Sequence, residues 1–338
     1  MAAAAKQAGL ALRPHAKTHK SVDIARRQIV AGAVGIACAT VAEAEMLSAA
    51  GIGGLLLTAP VMGAARFARL ARINRAHGIT VAVDHVRQVE ALAAAVEPGD
   101  KALAVVVDVD VGQARTGVTE PAEAVRLAQM IAAQPRLRFA GVQGFAGHAQ
   151  HIADPRERRQ ATAAAAATLR RHVEALAAAG LPPALVTGSG TGTYAQDCDG
   201  PYNELQVGSY VFMDSDYARI VDERGSGPAF APSLFVLATV VSVNRPGQVT
   251  VDAGTKALAT NGPPPCHIIG APQGATYRFA GDEHGVINIP AGAAPPQIGD
   301  RLLIGATHCD PTVNLHAAYH VVDDGGVQRW PIGARYGG

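Results

Sequence analysis

ITVAVD (Ile79–Asp84) and LAVVVD (Leu103–Asp108) are short apolar runs rich in branched residues, with an alanine-bearing segment between them. The same kind of run recurs on both sides. Leu10–His15, Val34–Thr40 and Gly54–Ala59 precede the pair, and Phe139–Phe145, Ala184–Thr187 and Glu204–Phe212 follow it. The intervening segments carry apolar residues at helical spacing, as in Val41–Ala50 and Ala161–Ala179. Strand and helix alternating over short connections implies parallel pairing through right-handed crossovers. Eight such strands predict an α/β architecture, a (β/α)8 barrel, rather than an open doubly wound sheet. A dinucleotide-binding sheet would want a glycine fingerprint after its first strand, and none stands there.

From about Phe235 the pattern changes. Leu234–Val243, Gln248–Asp252, Tyr277–Ala280, Gly285–Ile289 and Arg301–Ile304 are separated by Gly, Pro and Asp turns without helical spacing. That predicts a second, mostly antiparallel β domain. The polar, Gly- and Pro-containing stretch Asp222–Pro232 is the natural boundary, giving a barrel over 1–225 and a β domain over 226–338.

The 338 residues suit two domains of roughly 100–200 residues each. A net charge of +1 offers no electrostatic footprint for nucleic acid. No apolar run reaches the roughly 20 residues that span a bilayer. Cys38, Cys198, Cys266 and Cys309 are scattered and form no CxxC pair, so a disulfide framework is not expected and the compartment reads as cytoplasmic. Ala2–Gln7 reads as the tail of a helix capped by Gly9, so the chain starts as if inside an element.

Barrel enzymes place their chemistry at the C-terminal ends of the strands. The first strand runs into RPHAKTHK (Arg13–Lys20), either a solvated basic turn or the seat of a lysine able to form a Schiff base once its pKa is depressed. With Ala16 between them, His15 and Lys17 are expected on one side of the strand. The seventh strand ends in TGSGTGTY (Thr187–Tyr194), and the eighth adds Gly208, Ser209 and Tyr210. Glycines alternating with hydroxyls let backbone N–H groups close on an anion, and barrels often bind phosphate after strands seven and eight. A Schiff-base lysine facing a phosphate cup points to pyridoxal phosphate. Near the C-terminus, His308 and Asp310 stand two apart, able to face the same way from a strand and hold one divalent ion. Glu283 and His284 lie upstream.

RPHAKTHK is similar to the cofactor-lysine motif of the D-threonine aldolase and eukaryotic-type D-serine dehydratase family, alanine-racemase-like pyridoxal-phosphate enzymes. The resemblance extends through GQARTG (Gly112–Gly117), GHAQH (Gly147–His151), TGSGTGTY, LQVGSYVFMD (Leu205–Asp214) and THCDPTVN (Thr307–Asn314). It implies Lys17 as the Schiff-base lysine and Arg115 as the arginine reaching the cofactor's phenolic oxygen or the substrate carboxylate. Gly190, Thr191, Gly208 and Tyr210 match the phosphate site, with Thr187 and Ser209 in the same two strings, and His15 packs or orients the cofactor. Phe145 stands where many relatives carry a tyrosine. Family members begin with a further strand and helix start that this sequence lacks.

In this family the metal pair reads His-x-Asp in aldolase-like members and His-x-Cys in D-serine dehydratases, so His308 and Asp310 lean toward the aldolase, with Cys309 facing away. An oxygen ligand suits manganese best, with magnesium, cobalt or zinc as alternatives. The resemblance makes His151, ahead of His148, the base for the substrate's β-hydroxyl. The implied reaction cleaves D-threonine or a related D-3-hydroxy-amino acid to glycine and an aldehyde. The alternative is a D-serine or D-threo-3-hydroxyaspartate dehydratase releasing ammonia and a 2-oxo acid. Arg115 or Lys20 is the candidate cation for a substrate bearing a β-carboxylate. A silent cofactor carrier would need neither the metal pair nor the β domain, and a purely structural barrel would leave Lys17 and the glycine loop without purpose. A homodimer is implied.

Overall fold

In the computed structural model, which describes residues 1–336 apart from Glu223 and Pro228, the eight apolar runs become eight strands. They are β1 (Ala11–Leu12), β2 (Ala37–Cys38), β3 (Leu55–Leu57), β4 (Ile79–Val83), β5 (Leu103–Asp108), β6 (Leu137–Gly144), β7 (Leu185–Gly188) and β8 (Glu204–Leu205). All pairings are parallel, in the order β1-β8-β7-β6-β5-β4-β3-β2. The sheet curls until its ends meet: Val34 N donates to Leu12 O, Ala37 N donates to Pro14 O, and a parallel bridge joins His15 to Ala37.

Strand periodicity divides the core in two. Leu103, Val105 and Val107 of β5 face outward and pack with Leu127, Ile131 and Leu169 of the surrounding helices. Ala104 and Val106 face inward and meet Leu56, Ala82 and Ala140 in a small inner cluster, with Leu185 against it. The same inward rows then turn polar: Thr58 stands two residues beyond Leu56, Asp108 two beyond Val106, and Thr187 two beyond Leu185. Apolar filling therefore gives way to hydrogen-bonding groups at the C-terminal ends of the strands.

Local signals explain the element boundaries. Pro155–Ala178 begins where Asp154 accepts from the N–H groups of Arg156 and Glu157, with proline at the first helical position; the predicted Ala161–Ala179 is only its later part. Val41–Ala49 starts at Thr40, whose hydroxyl accepts from Glu43 N. Helix Ala2–Gln7 ends as read, with Gly9 at φ +69°. In β6, Gly141 adopts φ +148° beside a register shift, and an added Cβ would lie 1.9 Å from Leu185 O, so only glycine fits there.

The second unit spans Ser209–Ile332. Its antiparallel sheet contains β9 (Phe235–Ser242), β10 (Gln248–Val251), β11 (Ile268–Ile269), β12 (Thr276–Phe279), β13 (Gly285–Asn288) and β14 (Arg301–Gly305), ordered β11-β14-β9-β10-β13-β12. Val240, Val249, Val251, Ile287, Leu302 and Ile304 form its core. A hairpin of β15 (Ala318–Asp323) and β16 (Gly326–Pro331) completes it. The sequence reading missed this hairpin because its valines are exposed, Val322 at 77% and Val327 at 69%, so no buried face marks them.

The first unit comprises residues 1–208 and regains the chain at 333–336. The predicted boundary after residue 225 thus falls inside the second unit. The reason is specific pairing that composition does not reveal. Ser215 N and Oγ both donate to Ala306 O, and Asp214 Oδ2 accepts from Cys309 N at 2.9 Å. Among the described residues no helix is long and apolar enough to cross a membrane.

Candidate active site

Lys17 lies not on a strand but on the one-turn 3-10 helix Ala16–Thr18 that follows β1. The expected strand alternation of His15 and Lys17 therefore does not apply. His15 instead stays extended, accepts from Lys17 N at Nδ1 (3.3 Å), and meets Thr58 Oγ1 through Nε2 at 3.0 Å. It orients the lysine turn from beneath. Gly208 approaches the same turn so closely that a Cβ would sit 2.7 Å from Thr18 Oγ1 and 3.3 Å from the His15 Cβ. The first and eighth strand ends, tied to one function by sequence, are in contact.

A buried polar chain lines the mouth. Arg13 pairs with Glu204 at 2.8 Å, Glu204 accepts from the Thr187 hydroxyl at 2.9 Å, and Gln206 donates to both Thr187 and Gln143. Gln143 donates in turn to Asp108 and to Thr58 O, each at 2.8 Å. The Thr187 hydroxyl is thereby bonded on both sides, donating to Glu204 and accepting from Gln206. Burial pushes the Asp108 carboxyl up to about 6, against the hydrogen bonds from Gln143 and Thr116.

The loop carrying Arg115 is shaped by three aspartates. Asp108 Oδ2 accepts from Thr116 Oγ1, Asp84 Oδ2 from Gly117 N, and Asp110 Oδ1 from Gly112 N and Ala114 N. The Arg115 guanidinium lies 5.9 Å from the centre of the Phe145 ring. A residue expected only as a lost tyrosine is thus a cation–π platform. His148 and His151 are both exposed after β6. A Cβ on Gly112 would lie 3.2 Å from His148 Cε1, which puts His148 against the Arg115 loop.

TGSGTGTY is buried, with Ser189 at 1% and Thr193 at 1% exposure, so it is no flexible turn. Gln150, between the two histidines, is its anchor: the side-chain oxygen accepts from Gly192 N at 3.0 Å and the amide donates to Thr193 Oγ1 at 2.9 Å. Thr193 Oγ1 donates to Asp197 Oδ2 at 2.6 Å, and burial raises Asp197 to about 6. Gly190 and Thr191 sit in the middle of this anchored loop. In the second unit Ser209 and Tyr210 open the short turn Ser209–Val211; the Tyr210 ring packs on Phe230 and the Ser209 hydroxyl bonds the buried Tyr217.

His308 and Asp310 are not on a strand. His308 caps the helix Cys309–Leu315, and Asp310 lies in its first turn. Bonds to distant residues fix the segment around them: Cys309 N is held by Asp214, Thr307 Oγ1 donates to Ala259 O, and the Asn261 amide meets His308 Nδ1 at 3.0 Å. Cys309 is fully buried, but it does not face away as expected: its Sγ donates to Asp310 Oδ1 at 3.4 Å. Among the described residues no three His, Cys, Asp or Glu side chains group as metal donors. His308 and Asp310 would offer a divalent ion two donors, and water or substrate would have to complete its shell. Turned so that its oxygen accepts from Nδ1–H, Asn261 leaves His308 Nε2 as the donor. Glu283 is paired with Lys256.

An alanine racemase N-terminal domain model matches residues 1–216, and a serine dehydratase domain model matches residues 233–322. The chain belongs to the D-threonine aldolase and D-serine dehydratase family of alanine-racemase-like proteins. A D-threonine aldolase from Arthrobacter sp. is 41% identical, the match covering 99% of this chain and 88% of the relative. A 3-hydroxy-D-aspartate aldolase from Paracoccus denitrificans (strain Pd 1222) is 38% identical, covering 98% and 86%. The crystal structure of D-threonine aldolase from Filomicrobium marinum superposes with a TM-score of 0.93 at 39% identity, covering 99% of this chain and 91% of that one. A D-threo-3-hydroxyaspartate dehydratase from Delftia sp. (strain HT23) is 32% identical over 95% of this chain and 90% of the relative.

Membership in this family implies pyridoxal phosphate, and the mouth of the first unit fits it. Thr18 Oγ1 is buried without a hydrogen-bond partner beside Gly208. Such an orphan costs about 1–3 kcal/mol unless a ligand completes it. Sequence reasoning missed Asp108, Gln143, Gln150 and Gln206. One signal was available for Asp108 alone: it ends the inward row of LAVVVD with a carboxylate.

Proposed function

We propose that this chain is a pyridoxal-phosphate- and divalent-metal-dependent aldolase that cleaves D-threonine or related D-3-hydroxy-amino acids to glycine and an aldehyde. The observation that carries the reading is the close approach of Gly208 to the turn bearing Lys17, with the buried Thr18 hydroxyl between them. The named aldolase relatives at 41% and 38% identity, against 32% for the dehydratase, favour cleavage of the carbon–carbon bond.

Lys17 would hold the cofactor covalently, and its Nζ would return a proton to the substrate's Cα. Backbone N–H groups around Gly190, Thr191, Gly208, Ser209 and Tyr210 would receive the phosphate, His15 steadies the lysine turn, and Arg115 would bind an anionic oxygen of cofactor or substrate. His151, or His148 beside the Arg115 loop, takes the β-hydroxyl proton at an imidazole nitrogen near neutral pH. His308 and Asp310 would be the metal ligands, and the oxygen donor would make manganese the preferred ion, ahead of magnesium, cobalt or zinc. A bound metal supplies Lewis acidity that lowers the pKa of the substrate hydroxyl. Bound pyridoxal phosphate supplies the electron sink for the broken bond. The protein works as a cytoplasmic homodimer.

The direct test uses holoprotein with manganese. Lys17→Ala should lose the visible cofactor absorbance together with turnover, and Asp310→Ala should keep the absorbance while losing metal-dependent turnover. Full activity in Asp310→Ala, or activity that survives chelation, would remove the metal from the reading.

A further inference from the structure

Lys20, a candidate cation for a β-carboxylate on sequence grounds, is already engaged. Its Nζ lies 2.7 Å from Glu43 Oε1 and 2.9 Å from Ala334 O, and the side chains of Lys20 and Glu43 are 10% and 1% exposed. The other Glu43 oxygen accepts from Ala39 N at 2.8 Å, just past β2. The Lys20 backbone is equally bound. It adopts φ +48°, its N–H donates to Ala16 O at 2.7 Å, and its carbonyl accepts from Gly333 N at 2.8 Å. Met46, one helical turn beyond Glu43, lies so close that a Cβ on Gly333 would be 2.3 Å from Sδ.

One lysine therefore joins the turn of Lys17, the loop after β2, the helix Val41–Ala49 and the C-terminal residues 333–334. A three-residue 3-10 turn is weak by itself. The long lysine stem on it is flexible, and misplacement by about 1 Å can cost ~100-fold in rate. We propose that the C-terminal segment Gly333–Ala334, closed on Lys20 and Glu43, is a clasp that holds the Lys17 turn in the register its cofactor bond requires. Lys20 and Glu43 are positioning residues. The clasp rests on the reading of Lys17 as the cofactor lysine.

The test loads full-length protein with pyridoxal phosphate, reduces it with borohydride and maps the labelled lysine. It also measures the cofactor dissociation constant and the pH midpoint of the visible band. Wild type should be labelled at Lys17. The double variant Lys20→Met/Glu43→Gln opens the clasp without leaving a buried unpaired charge. Gly333→Pro opens the clasp from the other side, removing the N–H that Lys20 O accepts and driving a Cβ against Met46 Sδ, and it keeps the test open if the double variant does not fold. Each should weaken cofactor binding about tenfold or more and shift the midpoint. Wild-type affinity and midpoint in a folded variant would overturn the clasp alone. A wild-type label anywhere but Lys17 would overturn the reading beneath it as well.

Discussion

Asp108 is the residue whose environment has the clearest physical consequence. Held at about 6 by burial against an ordinary 3.8, its ionised form is disfavoured by about 3 kcal/mol. The native state keeps the proton more tightly than the unfolded chain, so the group's contribution to stability falls as pH rises from about 3.8 through about 6. Asp108→Asn removes that fall. Denaturation midpoints from pH 4 to 7 should show the variant gaining on wild type as pH rises, and a constant difference would contradict this. Phe145 acts through Arg115 instead. A cation–π contact of ~0.5–1 kcal/mol predicts that Phe145→Leu raises KM about two- to fivefold with kcat nearly unchanged, while Phe145→Tyr stays close to wild type.

At the scale of elements, the Ser189–Thr193 loop depends on one glutamine outside it. Gln150→Ala deletes the acceptor for Gly192 N and the donor to Thr193, leaving buried groups unpaired at about 1–3 kcal/mol each. Thermal melting should fall by several degrees, and phosphate should lose its protection of the protein against melting. An unchanged melt would mean that the loop holds itself. The strands were legible because branched runs with two-residue periodicity are strong signals. Their ends were not. Glu204–Phe212 reads as one strand, yet pairing as regular strand stops at Leu205 and Ser209–Val211 forms a turn. THCDPTVN reads as strand by its spacing, yet Asp310 lies in a helix, because the bonds that shape it join Cys309 to Asp214, 95 positions away, and His308 to Asn261, 47 positions away, beyond any local pattern.

Over the whole molecule, sequence foretold the architecture better than the seams. The curled parallel sheet followed by an antiparallel one was readable from periodicity alone. The unit boundary at Gly208 and the return of residues 333–336 to the first unit were not, since both depend on hydrogen bonds between distant segments. The candidate residues were legible where they sit in distinctive strings, as Lys17 and Gly208 do. Gln143 and Gln206 were invisible because isolated glutamines carry no spacing signal, and only the curled sheet brings their amides together.

The central claim is the bond that breaks, and product analysis tests it most directly. Purified holoprotein with manganese and D-threonine should release glycine and acetaldehyde in equal amounts, with the yield lost in Asp310→Ala. Ammonia and 2-oxobutanoate in their place would contradict the account and make the protein a dehydratase.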